Sequence, residues 1–303
     1  MKNKFIFIIG ISPRSGTNYL YNLLNLHPRI SPSKINGEGF LVYYSDLLDN
    51  YTSALARRWH DNWENDPKLI QEAIGKGLTD SLGTDNDYNT IKTPLTTNLD
   101  NLKKFFPDSK VILLMRDGKN VVASHEKTFK KGISIPSNIY SIGGETILNH
   151  INDQQFYCLK YEDLNDDPEN QLESIFAYLD LSYSDVDQNE IGKLGIVGSS
   201  TFGRSGDQVD WNQTFPKTKN FNPNNRSANW SNYKRQRFDW IAGDINEKLG
   251  YKRDEISFKL LYLIPNVIMD LIYKMFYHAK TIYWSIRKYI NLYNNLFRQV
   301  KGG

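Results

Sequence analysis

A short apolar run followed at once by a loop rich in glycine and serine limits the folds open to this chain. Residues 5–9 read Phe-Ile-Phe-Ile-Ile, residues 10–16 form the loop, and Leu20, Leu23 and Leu24 follow it. An uninterrupted apolar run of this length is typical of a parallel strand buried on both faces, and the leucine spacing is helical. The sequence therefore predicts a strand, a loop and a helix at the start of the chain.

The same order of apolar run and helix returns twice further along the chain. Residues 111–115 and 156–160 are the runs, and a helix is predicted over residues 119–131 after the first of them. The helix after the second run has Asp167 as its N-cap and Pro168 at its first position. Repeated units of this kind predict an α/β fold in which helices cover both faces of a central parallel sheet.

Three further segments complete the predicted order. Residues 40–82 have a helical pattern. Residues 195–229 are rich in Gly, Ser, Asn and Pro, and a stretch this long inside a domain is usually a functional loop or lid. A last helix is predicted over residues 231–249, with Gly250 as its C-cap.

Composition narrows the classes of partner and compartment. The net charge of +3 is too small to indicate a nucleic-acid partner. Cys158 is the one cysteine of the sequence, which excludes an internal disulfide and indicates a reducing, cytoplasmic compartment. Because Cys158 falls in a strand pattern, we expect a core residue rather than a nucleophile. Residues 5–9 are too short for a signal peptide or a membrane span.

The first loop has the chemistry of a phosphate site. It reads Gly10-Ile-Ser-Pro-Arg-Ser-Gly-Thr17 and opens a helix, where backbone N–H groups and the helix dipole bind anions. Aligned on Thr17, it resembles the loop of P-loop NTPases and predicts their three-layer fold, but Gly16 replaces the usual lysine and Arg14 carries the charge. A kinase needs that lysine with Mg²⁺ on its β- and γ-phosphates. A strand–helix turn without a ligand is the alternative.

The second motif is an arginine at the end of a buried strand. Arg116 follows the apolar run at 111–115, at the sheet edge where open α/β folds bind ligands. Ser124 lies eight residues on, about two turns along the predicted helix. Both side chains could reach one phosphate, the arginine through a charge-assisted pair and the serine through its hydroxyl. A surface ion pair of Arg116 with Asp117 is the other interpretation.

Together these segments resemble the sulfotransferase family that uses 3'-phosphoadenosine 5'-phosphosulfate (PAPS). Residues 10–17 look like its 5'-phosphosulfate loop, and Arg116 with Ser124 looks like its 3'-phosphate motif. Further stretches agree in order and spacing, namely residues 91–94, residues 161–164 and Trp230. The resemblance covers roughly residues 5–251 and is greatest to the Golgi-type, tyrosylprotein-type and bacterial members, which use a carboxylate base.

The resemblance implies a metal-independent transferase. Such an enzyme would move a sulfuryl group from PAPS to an acceptor hydroxyl or amine by in-line displacement, and would release 3'-phosphoadenosine 5'-phosphate (PAP). The acceptor would be a glycan, a lipid or a small molecule. Two alternatives stay open, a P-loop nucleotide-dependent kinase and a non-catalytic, membrane-associated nucleotide-binding protein.

Three residues are predicted to carry the chemistry. Glu38 is the only acid between Arg14 and Asp46, and the resemblance implies it as the general base, although a solvated loop glutamate is the alternative. Lys92 resembles a family lysine near the catalytic centre, whereas an exposed lysine before a proline turn is the competing interpretation. Arg14 would neutralise the charge that develops as the bond to the leaving phosphate breaks.

The resemblance also implies the residues that bind the donor. Tyr161 matches a family tyrosine that touches the nucleotide, with a core aromatic as the alternative. Ser200 and Arg226 lie in the stretch that corresponds to a segment folded over the nucleotide. The full predicted donor-binding set is Arg14, Ser15, Gly16, Thr17, Asn18, Arg116, Ser124, Tyr161, Ser200 and Arg226.

The C-terminal segment lies outside the resemblance. We predict a sulfotransferase domain over residues 1–256 and a basic, aromatic helical tail over residues 257–303. From Lys252 onward there are nine Lys or Arg residues and three acids. Three interpretations stay open for the tail: peripheral contact with the inner face of an anionic membrane, pairing in a homo-oligomer, and packing against the domain. Membrane contact would favour a lipid or lipid-linked glycan as acceptor.

Overall fold

The computed structural model describes most of the chain. The described residues are 4–35, 38–59, 67–198, 204–205, 208–209, 214–216, 221–255, 259–276, 279, 282–283 and 286–287. Ser200, one of the predicted donor-binding residues, lies outside these ranges.

A five-stranded parallel sheet lies at the centre of the fold. Its strands are β1 (Lys4–Gly10), β2 (Ile30–Pro32), β3 (Tyr88–Thr93), β4 (Lys110–Met115) and β5 (Phe156–Lys160), in the spatial order β2-β3-β1-β4-β5. In the middle strand, Ile9 pairs with Thr93 of β3 on one side and with Leu113 of β4 on the other. The predicted α/β class with a central parallel sheet is confirmed.

Helices connect and cover these strands. They are α1 (Thr17–Leu24), α2 (Phe40–Tyr43), α3 (Ser45–Trp59), α4 (Pro67–Leu82), α5 (Asn101–Phe105), α6 (Gly118–Phe129), α7 (Ser134–His150), α8 (Tyr161–Asp166), α9 (Pro168–Tyr178), α10 (Gln188–Lys193) and α11 (Asn232–Lys248). The predicted loop at 195–229 contains two short antiparallel pairs, β6 (Ile196–Val197) with β9 (Thr214–Phe215) and β7 (Arg204–Ser205) with β8 (Gln208–Val209).

Alternate side chains of β1 enter two different hydrophobic cores. Phe5, Phe7 and Ile9 pack with buried side chains of α6, α7 and α11. Ile6 and Ile8 point the other way and pack with buried side chains of α1 and α9. Both faces of the strand are therefore dry, which explains why its sequence is apolar throughout instead of alternating with polar residues.

The helices predicted after β1, β4 and β5 and over residues 231–249 are present, and the end signals predicted at Asp167, Pro168 and Gly250 are confirmed. Asp167 Oδ1 accepts a hydrogen bond from Asn170 N at 3.3 Å, and Pro168 is the first helical residue of α9. The side chain of Ser231 caps α11, and Gly250 after its last turn has a φ of +82°. These caps are local interactions, so the sequence alone locates them.

The C-terminal segment begins with a helix attached to α11. Residues 263–276 are helical and are named the tail helix. Arg237 of α11, which is 1% exposed, donates from Nη2 to Asp270 Oδ1 at 2.6 Å and from Nη1 to the carbonyl oxygen of Asn266 at 3.2 Å. Within the described part of the chain, no helix is both long and apolar enough to cross a bilayer. The division into a domain and a tail stays a prediction.

Candidate active site

The loop between β1 and α1 is held in shape by its own serines. Ser15 Oγ donates a hydrogen bond to the carbonyl oxygen of Ser12 at 2.5 Å and accepts one from Ser12 N at 3.1 Å. Arg14 and Gly16 have φ angles of +82° and +103°. A positive φ is unfavourable for Arg14, because it carries a side chain, whereas glycine tolerates it. Ser15 lies beneath the loop, where its hydroxyl supports this conformation.

An aromatic ring closes the position where P-loop NTPases carry lysine. A Cβ atom added to Gly16 would lie 2.3 Å from Cδ2 of Tyr161, so no side chain fits there. Tyr161 is buried, and burial is the main cause that raises the pKa of its hydroxyl. The guanidinium carbon of Arg116 lies 4.4 Å from the centroid of the same ring. Tyr161 therefore contacts both predicted motifs.

Arg116 is buried at the C-terminal end of β4. Its Nη1 donates to the carbonyl oxygen of Arg14 at 2.8 Å, and its Nη2 donates to the carbonyl oxygen of Pro223. Its Nε is buried and has no hydrogen-bond acceptor among the described residues. Asp117 instead caps α6, where it accepts from Lys119 N at 3.2 Å. The interpretation of Arg116 as a surface ion pair is therefore wrong.

Arg14 joins the first loop to two other segments. Its Nε donates to Ser124 Oγ of α6 at 3.3 Å, and its Nη2 donates to the carbonyl oxygen of Gly198 at 2.6 Å. Burial, and next the positive charges of Arg116 and Arg226, lower the pKa of Arg14 to about 10. The guanidinium groups of Arg14, Arg116 and Arg226 therefore make this site strongly electropositive, and such a site favours an anion.

These side chains surround one cavity of about 590 Å³. Ten of the predicted site residues line it, namely Arg14, Gly16, Thr17, Asn18, Glu38, Lys92, Arg116, Ser124, Tyr161 and Arg226. The cavity lies beyond the carboxyl ends of β1 and β4, where open α/β sheets bind ligands. No cluster of three metal-ligating side chains occurs among the residues that the structure describes.

Glu38 and Lys92 meet at one side of the cavity. Lys92 Nζ donates to Glu38 Oε1 at 3.1 Å and also donates to Asn18 Oδ1 at the start of α1. The side chains of Lys92 and Glu38 are 22% and 49% exposed, so water reaches the carboxylate more easily than the ammonium group. Glu38 is therefore a half-solvated loop glutamate that is paired with Lys92, and Lys92 is partly buried rather than an exposed lysine before a turn.

Comparison with known proteins decides the family. Residues 6–185, more than half of the chain, match the model of a family described as the sulfotransferase family. The chain belongs to the sulfotransferase family. The family predicted from the loop, Arg116 and Ser124 is thereby confirmed.

Individual relatives of this sulfotransferase-family chain are distant. Protein-tyrosine sulfotransferase 1 of Danio rerio is 28% identical over 229 residues, which are 67% of this chain and 61% of the relative. Protein-tyrosine sulfotransferase 2 of Gallus gallus is 27% identical over 233 residues, 67% of this chain and 59% of the relative. The chain thus spans about 60% of the length of these two relatives.

A solved structure is also similar to this sulfotransferase-family chain. It is the sulfotransferase domain from the curacin biosynthetic pathway, with a TM-score of 0.46 and 16% identity over 83% of this chain and 99% of that domain.

One residue of the site is not among those predicted from the sulfotransferase motifs. Asn120, which is buried on α6, accepts hydrogen bonds at its Oδ1 from Arg226 N at 2.8 Å and from Ser227 N at 3.3 Å. It therefore fixes the backbone of the segment that brings Arg226 to the cavity. Asn120 is four residues before Ser124, on the same side of one helix, and this spacing is the signal that could have found it.

Gly16→Ala is expected to lower the free energy of unfolding by about 1–3 kcal/mol. The new methyl group would meet the ring of Tyr161, and the positive φ would strain the backbone. Gly77→Ala in α4 is the matched control, because nothing lies within 4 Å of its Cβ position, and alanine there should stabilise the helix by about 1 kcal/mol. Urea unfolding of both variants measures the change in the free energy of unfolding. Equal changes in the two variants would contradict the close contact between Gly16 and Tyr161.

Acid is expected to destabilise the fold through His125. Burial is the main cause that lowers its pKa from 6.5 to about 4, and its Nδ1 is buried without a partner among the described residues. Between these two pKa values the unfolded chain binds the proton and the folded chain does not, so stability falls as the pH falls through this range. His125→Asn should reduce the loss of unfolding free energy between about pH 7 and about pH 5. An unchanged loss would assign the acid effect to other groups.

Proposed function

We propose that the protein transfers a sulfuryl group from PAPS to an acceptor hydroxyl or amine and releases PAP. Membership of the sulfotransferase family supports sulfuryl transfer. The identity of the donor, the class of acceptor and the mechanism are what we propose. The observation that carries it is the pair Arg14 and Arg116, which follow adjacent parallel strands and line one electropositive cavity. A doubly phosphorylated adenosine has an anionic group for each of them.

The side chains fit such a donor. Arg116 has a buried Nε–H with no acceptor within the described residues, and phosphate oxygens form strong charge-assisted hydrogen bonds with guanidinium groups. Ser124 lies beside Arg14, so both motifs converge on the same space. We assign the 3'-phosphate to Arg116 and Ser124, and the 5'-phosphosulfate to the loop that contains Arg14 and Thr17. Tyr161 contacts Gly16 of that loop and also the guanidinium group of Arg116.

The chemistry follows from where the acidic and basic groups lie. Glu38 accepts the proton of the acceptor as the acceptor oxygen or nitrogen attacks sulfur. The bond between sulfur and the bridging oxygen breaks, and its electron pair stays on the 5'-phosphate. Arg14 stabilises that negative charge, and Lys92 stabilises the sulfuryl oxygens. The proton on Glu38 then passes to water, so the products are the sulfated acceptor, PAP and a proton.

The same geometry argues against phosphoryl transfer. A kinase loop needs a lysine on the β- and γ-phosphates, and the ring of Tyr161 occupies the space beside Gly16 where its side chain would begin. PAPS has no γ-phosphate, and Arg14 supplies the positive charge from two positions earlier in the loop.

A transfer assay with two labelled donors tests the proposal. Radiolabelled PAPS and γ-labelled ATP are incubated separately with the protein and with lipid, glycan and tyrosine-containing peptide acceptors, with EDTA present or absent. The peptide is included because two relatives carry the name protein-tyrosine sulfotransferase. We expect label from PAPS to reach one acceptor class equally with and without EDTA. Transfer of label from ATP but not from PAPS would contradict the proposal. Transfer from PAPS that EDTA abolishes would also contradict it.

A further inference from the structure

The tail helix presents its polar side to the protein. Asn266 and Asp270 are one helical turn apart, and both accept hydrogen bonds from the buried guanidinium group of Arg237. Trp240 Nε1 donates to the other carboxylate oxygen of Asp270 at 2.9 Å. The polar face of this helix is therefore the attached face, which reverses the usual orientation of a helix on the surface of a soluble domain.

The opposite side of the tail helix is apolar and exposed. Its residues form four adjacent pairs at four-residue spacing, which is one continuous helical stripe: Leu263 and Ile264, Val267 and Ile268, Leu271 and Ile272, and Met275 and Phe276. Ile264, Met275 and Phe276 are each at least 70% exposed. A contiguous apolar stripe of this kind marks a surface that contacts lipid or another protein.

The charge of the following sequence selects between these occupants. Residues 271–303 contain six Lys or Arg residues and no Asp or Glu, together with eight Tyr, Trp or Phe residues. Two copies that met through their tails would bring these positive charges together, which is unfavourable. An anionic lipid surface attracts each cation and also covers the apolar stripe.

We propose that the tail helix lies in the plane of an anionic membrane surface, with its apolar stripe in the lipid and its polar side held by Arg237. The net positive charge of the sequence that follows adds attraction to the phosphates of anionic lipids. Through α11 the helix attaches the domain to that surface. This proposal depends on the orientation and charge of the tail and is independent of the proposed function.

Vesicle sedimentation with the full chain tests the proposal. Vesicles of phosphatidylcholine alone are compared with vesicles of equimolar phosphatidylcholine and phosphatidylserine, at low and at high salt. We expect the anionic vesicles to bind the protein about tenfold or more tightly than the neutral ones, and high salt to weaken that binding. Equal binding to the two kinds of vesicle, or no binding to either, would overturn the proposal without any variant.

Two matched double variants locate the contact. Ile264→Gln with Met275→Gln removes apolar side chains from the stripe, whereas Leu47→Gln with Leu69→Gln removes similarly exposed ones from α3 and α4. We expect the first variant to lose about tenfold or more of its vesicle affinity and the second to bind like the unmodified protein. Circular dichroism confirms that both are folded.

Light scattering without vesicles completes the test. A dimer of the unmodified protein that the Ile264→Gln, Met275→Gln variant abolishes would assign the stripe to a second copy and would overturn the membrane assignment. A monomer in both proteins, with vesicle binding lost only in the stripe variant, is the result that the proposal requires.

Discussion

Arg14→Ala is expected to lower kcat for sulfuryl transfer by about 100- to 1,000-fold, the effect of removing one group that stabilises developing charge. Arg14 lines the cavity and is held by Ser124 and by the carbonyl oxygen of Gly198. Its guanidinium group is therefore fixed before the donor arrives. The leaving 5'-phosphate gains negative charge as the bond to sulfur breaks, so the loss should be larger in kcat than in donor affinity.

Two further variants separate charge from structure at this position. Arg14→Lys keeps a positive charge without the fork of donors, so it should recover only part of the lost rate. Arg29→Ala is the matched control, since Arg29 pairs with Asp87 on the surface and its side chain is 52% exposed. Steady-state rates with labelled PAPS give the comparison. If Arg14→Ala and Arg29→Ala had the same rate, the assignment of Arg14 to the leaving group would be wrong.

Glu38→Gln is expected to lower kcat by about 100- to 10,000-fold, because the amide cannot accept the proton of the acceptor. The substitution conserves the shape of the side chain and leaves an oxygen that can still accept the hydrogen bond from Lys92. Donor affinity should therefore stay close to that of the unmodified protein. Calorimetric titration with PAP and the transfer rate are measured on the same preparation.

The same variant separates an enzyme from a protein that only binds nucleotide. Glu72→Gln on α4 is the matched control, because Glu72 does not line the cavity, its side chain is 41% exposed, and it pairs with Lys68, one helical turn away, at 3.9 Å. We expect normal transfer from this control and almost none from Glu38→Gln. A Glu38→Gln protein that transfers at the normal rate would remove Glu38 from the mechanism.

The parts of the fold that sequence reasoning predicted are those set by local rules. The apolar run of β1 needs only burial on both faces, and the cap at Asp167 needs only the next turn of its own helix. Strand β3 was missed because its sequence is largely polar. Asn89 is fully buried there because its Oδ1 accepts from Thr84 N and Thr84 Oγ1, both at 2.8 Å. These hydrogen bonds from Thr84 form only in the folded structure, so they leave no periodic pattern of apolar residues in the sequence.

Helix α7 was missed for a related reason. It contains Pro136, Gly143 and Gly144, which single-sequence rules treat as helix breakers. A Cβ added to Gly143 would lie 1.8 Å from the carbonyl oxygen of Ile11, so glycine permits the helix to contact the start of the phosphate loop. Packing against α11, which is distant in sequence, stabilises α7 and outweighs its weak propensity.

Most residues of the candidate site were predicted, but the contacts between them were not. The strand ends located Arg14 and Arg116, and the family resemblance added Glu38, Lys92 and Tyr161. The contact of Tyr161 with Gly16 could not be predicted. These residues follow β5 and β1, which are brought near each other only by the pairing of both strands with β4. The role of Ser15 beneath its own loop also depends on the three-dimensional turn.

Calorimetric titration with PAP and with adenosine 5'-monophosphate tests the central assignment, that two arginines from neighbouring strands hold the two ends of one nucleotide. We expect one PAP per chain, and an affinity about tenfold or more lower for the nucleotide without the 3'-phosphate, since Arg116 and Ser124 would lose their ligand. Arg116→Lys should reduce this preference for PAP. Absence of PAP binding by the folded protein, or equal affinity for the two nucleotides, would contradict the assignment.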